Sequence, residues 1–185
     1  MREKILEIFP ELELITDEDL REKTLNVWVE AMELGGWKIE DLEEIPFTLL
    51  IPDTQITLVK HTRAVTQIAI EAAKVFDNIY GAELEVNMDY LISGALLHDV
   101  GKLLEYERTD AGKIVKCHFG KMMRHPFSGA SLAYKFELPP EVCHIIAVHA
   151  REGTKNRAIP EAIIVNHADF INFESMKSKL LGEII

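Results

Sequence analysis

Apolar residues recur along most of this chain at three- and four-residue spacing, the period that turns one face of an α-helix into a core. Leu20, Val27, Trp28, Ala31 and Met32 share such a face. It follows Thr16-Asp17-Glu18-Asp19, which resembles a capping box, and ends at Gly35-Gly36. From Trp37 to Pro52 the pattern shortens to a helical piece and a connector, punctuated by Pro46 and Pro52. Thr57 is placed to cap a helix reaching about Phe76, and a second long helix is predicted from about Asn87 to Leu104. Between Tyr106 and Cys117 the period is lost. Asp110-Ala111-Gly112 reads there as a turn between residues of higher β-propensity, which allows a small β-hairpin. Helical spacing resumes after His125-Pro126, after Pro139-Pro140 with Gly153 as its stop, and after Pro160. The expected fold is all-α, with residues 1–56 as a helical extension packed on a core domain of residues 57–185.

Helical phase also sorts the ionisable side chains. The stripe Val65, Ile68, Ala72, Phe76 runs back one turn to His61. His98 lies in line with Leu91 and Ala95, and Asp99 with Ile92 and Leu96, so both members of the His-Asp pair face inward. His149 shares the face of Val142, Ile145 and Ile146, and Asp169 that of Ala162 and Val165. His144 and His167 fall off these faces and His118 sits in a polar loop, so all three are expected at the surface. For His125, at a helix start, phase says little. Burying this many imidazoles and carboxylates is costly unless a cation pairs with them, so a shared metal site is expected.

Composition narrows the chemistry further. The formal net charge of −11 opposes binding to extended nucleic acid, which depends on surface Lys and Arg. Gly112 to Phe136 contains no acidic residue but carries Lys113, Lys116, Lys121, Arg124 and Lys135, a local attraction for a small phosphorylated ligand. Cys117 and Cys143 form no CxxC pair, which leaves His and Asp as the metal donors. Without a secretion-type start or a bilayer-spanning apolar run, a cytoplasmic location and no membrane partner are expected.

The order His61, His98-Asp99, Asp169 resembles the signature of the HD-domain superfamily of metal-dependent phosphohydrolases, over roughly Thr57 to Lys179. His125 and His149 are similar to the additional histidine pair of its two-metal members, as is the extended His-Asp-Val-Gly-Lys form ending at Lys102. The resemblance implies a helical bundle holding two divalent transition metal ions (Fe, Mn, Co, Ni or Zn) on His61, His98, Asp99, His125, His149 and Asp169. Asp99 would be the bridge. It implies hydrolysis of a phosphomonoester or phosphodiester, of nucleotide type, by a metal-activated hydroxide. Lys102, one turn beyond His98, is expected to act with Asp99 and reach a phosphate oxygen, and Lys121 or Arg124 to close over the substrate. No Gly-Tyr-Pro follows His149, so the cyclic-dinucleotide branch does not match. Two alternatives share the pattern: a mixed-valence di-iron oxygenase, and a non-catalytic HD module acting as sensor or interaction domain. The oligomeric state is not legible in these residues.

Overall fold

The computed structural model describes residues 1–182. Its N-terminal part holds α1 (Arg2–Ile8), a 3-10 turn (Pro10–Leu14), α2 (Glu18–Gly35) and a second 3-10 turn (Ile39–Glu43). Then come α3 (Leu58–Tyr80), α4 (Met88–Leu97), the short α5 (Lys102–Glu105) and the antiparallel hairpin β1 (Tyr106–Arg108) with β2 (Ile114–Lys116). The chain closes with α6 (His118–Met122), α7 (His125–Lys135), α8 (Pro140–Val148) and α9 (Pro160–Leu181). Among the described residues the hairpin is the only sheet, so the all-α expectation holds. No helix among them is long and apolar enough to cross a membrane.

Two apolar clusters organise the bundle. One joins Ile5, Phe9, Trp28 and Met32 of the N-terminal part to Leu58, Leu96, Leu103 and Ile146, so the first helices share a core with those that follow. The other lies between α3, α4, α8 and α9, around Val65, Leu91, Ile145 and Val165. Gly94 permits the close crossing of α4 and α8, because a Cβ there would sit 2.6 Å from Ile145.

Several boundaries differ from the sequence reading. The cap of α2 is Asp17, whose side chain accepts from Leu20 N, while Thr16 instead donates to Asp89. α3 runs one turn past Phe76, to Tyr80. The long helix expected from Asn87 to Leu104 is broken after Leu97 by a tight turn in which Val100 N bonds Leu97 O and Lys102 N bonds Asp99 O. At that break the His98 ring takes over the Ala95 carbonyl, which an uninterrupted helix would have given to the next turn's amide. α8 likewise stops at Val148, and Gly153 ends a separate 3-10 turn. His144, expected at the surface, is half-buried and accepts from Ala158 N.

Candidate metal centre

Three helix ends and two helix interiors bring the polar side chains together. His98 is the C-cap of α4 and His149 the C-cap of α8. Each folds its ring back on the carbonyl three residues earlier, Ala95 O at 2.6 Å and Ile146 O at 2.7 Å. His125 opens α7, His61 lies in the first turn of α3, and Asp169 lies within α9. His61, His98, Asp99, His125 and His149 are all buried, while Asp169 is half-buried.

At the centre is Asp99. Its Oδ2 lies 3.4 Å from both His61 Nε2 and His98 Nε2, and its Oδ1 lies 3.3 Å from His125 Nε2 and 3.6 Å from His149 Nε2. Asp169 Oδ1 adds a carboxylate 3.1 Å from His61 Nε2. Two overlapping triads result, His61-His98-Asp99 and Asp99-His125-His149, each compact enough to hold a metal ion. The outer nitrogens set the tautomers. The Nδ1 atoms of His61, His98, His125 and His149 face Asn172 Oδ1, Ala95 O, Glu105 Oε2 and Ile146 O in turn. These oxygens only accept, so each Nδ1 carries a proton and each ring turns its Nε2 inward, the atom that would serve a cation as a lone-pair donor. Four such nitrogens and two carboxylates converge on one space. The donor set fits divalent cations, which would neutralise carboxylates that the rings alone cannot satisfy.

Charge within the site follows the same geometry. Burial would raise the Asp99 pKa, but the Lys102 ammonium and the surrounding imidazoles hold it well below the usual carboxylate range. Burial likewise would lower His61, yet its bonds to Asp169 and Asp99 lift it to about 9. Burial dominates at His125, which is pushed down to about 4 and is therefore neutral near pH 7. Glu105, which burial would raise, is drawn down to about 2 by His125 and Lys116.

The remaining sequence candidates separate. Lys102 is buried, with its ammonium donating to Asp99 Oδ2 and to the Phe47 carbonyl. Arg124 lines the cavity over the centre, whereas Lys121 is exposed and lies outside the lining. Lys116, from the same basic stretch, also lines the cavity, and other lining residues escaped the sequence reading, among them Phe47, Arg151, Phe170 and Phe173. Asn172 and Phe173 stand three and four residues beyond Asp169, so helical phase could have found them. Glu105 was detectable only as an acid inside the apolar run Leu103 to Tyr106.

The cavity, about 320 Å³, is polarised. Among its lining residues, Arg124 immediately precedes His125, Arg151 follows His149 by two residues, and Lys116 reaches His125 through Glu105. On the His61 side the Phe47 ring lies 4.8 Å from the His61 ring and 6.2 Å from Phe173. Phe47 is delivered by the N-terminal part through an antiparallel bridge between Pro46 and Thr57, and Thr48, Leu49 and Leu50 continue that wall.

The HD domain family model matches residues 58–172, the span that carries all six candidate ligands. The chain belongs to the HD-domain family. A dihydroneopterin 2′,3′-cyclic phosphate phosphodiesterase of Methanocaldococcus jannaschii is 39% identical over 113 residues, covering 60% of this chain and 44% of that protein. A ribonuclease Y of Mesoplasma florum is 29% identical over 104 residues, 56% of this chain and 18% of that protein. The chain thus spans less than half the length of either relative. No solved structure matches it significantly.

Proposed function

We propose that this HD-domain chain is a metal-dependent phosphohydrolase that opens a small phosphodiester of the cyclic phosphate class at a binuclear centre. The observation that carries this reading is Asp99, whose two oxygens each face a different pair of imidazole nitrogens. That arrangement supports Asp99 as a bridge, with His61, His98 and Asp169 serving one ion and His125 and His149 the other. Divalent transition ions there would supply Lewis-acid polarisation of the phosphoryl group and a water of lowered pKa.

The chain's own residues do the remaining work. Lys102 keeps Asp99 ionised and fixes its Oδ2, tying it to the Phe47 carbonyl; this makes Lys102 a positioning residue rather than the phosphate contact expected from sequence. Arg124, Arg151 and Lys116 draw an anion to the His125 side. Phe47, Phe170 and Phe173 offer apolar ring surface to the rest of the substrate. The substrate class is supported by the cyclic phosphate diesterase among the relatives. A cavity of about 320 Å³ suits one small ligand, and the net charge of −11 disfavours an extended strand.

The test is hydrolysis of 2′,3′-cyclic nucleotides and of a pterin cyclic phosphate under anaerobic conditions, with Fe, Mn, Co, Ni or Zn supplied in turn. Ring opening to a phosphomonoester is expected with at least one metal, and its loss in Asp99→Ala. Absence of ring opening with every metal, or a strict need for dioxygen, would remove the hydrolase reading.

A further inference from the structure

The two halves of the centre are not equivalent, and the difference lies behind the histidines. His98 and His149 donate from Nδ1 to main-chain carbonyls, and His61 to the Asn172 side-chain oxygen; all three acceptors are neutral. His125 alone donates to a carboxylate, Glu105 Oε2, at 2.7 Å. The same oxygen also accepts from His125 N at 2.8 Å, so it fixes both the ring and the first turn of α7. The other oxygen, Oε1, pairs with the Lys116 ammonium.

Glu105 is itself tightly held. It is 3% exposed, its carbonyl accepts from Cys117 N, and a Cβ at Gly120 would come within 2.7 Å of its Cγ. The hairpin exists in part to make this possible, because pairing Tyr106 with Lys116 returns the chain so that Lys116 meets the residue just before the strand. Lys116 also lines the cavity. A continuous path therefore runs from the cavity wall through Lys116 and Glu105 to the His125 ring and on to Asp99 Oδ1.

A carboxylate behind an imidazole pulls on its Nδ1 proton and makes Nε2 a more basic donor, an effect that a carbonyl or amide supplies more weakly. We infer that Glu105 is a positioning residue that sets the metal affinity of the Asp99-His125-His149 half of the centre, selectively over the His61-His98-Asp169 half. This rests on the binuclear reading above. The path through Lys116 further places that half under the influence of charge arriving in the cavity.

The experiment is calorimetric titration of the metal-free full chain with Mn2+ alone, for wild type, Glu105→Gln and the double variant Glu105→Gln with Lys116→Met. Wild type should show two binding steps. Glutamine keeps an accepting oxygen for His125 but not the charge, so one step should weaken about 10–100-fold while the other stays within about twofold. The double variant removes the ammonium that glutamine leaves unpaired. It should recover melting temperature but not the weakened step, because the carboxylate charge behind His125 is not replaced. Equal weakening of both steps, no weakening of either, or recovery of the step in the double variant would overturn the inference, since a structural prop behaves in those ways. Wild-type protein taking up one ion or none would overturn the binuclear reading together with it.

Discussion

Replacing Gly101 with alanine should disable one half of the metal centre without touching a ligand. A Cβ at this position would lie 2.2 Å from His125 O, 2.6 Å from Ser128 Oγ and 2.8 Å from Gly129 N. Two of these are backbone atoms that cannot rotate away, so the first turn of α7 must retreat by about 1 Å, the kind of overpacking that costs about 1–3 kcal/mol. For a chain of this size that corresponds to a fall in melting temperature of about 2–12 °C. The displaced turn carries His125, whose Nε2 now stands 3.3 Å from Asp99 Oδ1. His61 and His98 are held by α3 and α4 and should not move. Elemental analysis of purified Gly101→Ala should therefore find about one ion fewer per chain than wild type, and catalysis should fall about 100-fold, as a misplacement of 1 Å typically produces. Wild-type melting with undiminished metal content would refute the argument that this close approach seats His125.

Three further outcomes follow from the same geometry. Asp99→Ala should abolish hydrolysis and lower metal content more than His149→Ala, since Asp99 faces four imidazoles and His149 belongs to one triad; equal, mild losses would sink Asp99 as the bridge. Metal uptake by the metal-free protein at pH 8 should release about one proton per chain, because His61 is charged below about 9 and must be neutral to bind, and apparent affinity should rise as pH approaches 9; potentiometry showing no release would contradict this. Arg124→Ala should raise KM for a cyclic phosphate several-fold more than Lys121→Ala, with the difference shrinking at high salt; equal effects would place the exposed Lys121 in the substrate path.

Helical phase found the inward His61, His98, Asp99, His149 and Asp169 because a buried face imposes its period even one residue past a helix end, where His98 and His149 sit. The ends themselves were missed. The chain breaks after Leu97 and Val148 because ring-to-carbonyl bonds compete with the helical ladder, a choice made by side-chain geometry that composition does not encode. Lys102 was expected from sequence to reach a phosphate oxygen, and what the sequence did not show is the pair of protein oxygens that its ammonium meets. The ammonium donates to Asp99 and to the Phe47 carbonyl, which comes from a segment 55 residues away. The Phe47 wall shares that origin in long-range packing, which no local pattern announces, whereas the Glu105–Lys116 pair follows from the register of a hairpin whose existence, but not whose pairing, the sequence suggested.

Under the binuclear proposal, two ions flanking Asp99 together support hydrolysis of a phosphodiester. Metal-free protein is titrated with the activating metal, and ring opening of a 2′,3′-cyclic phosphate is followed at each addition. Little activity is expected through the first equivalent and a steep rise to a plateau at the second. Full activity at one equivalent would contradict it, as would a protein that binds two ions and leaves the diester intact.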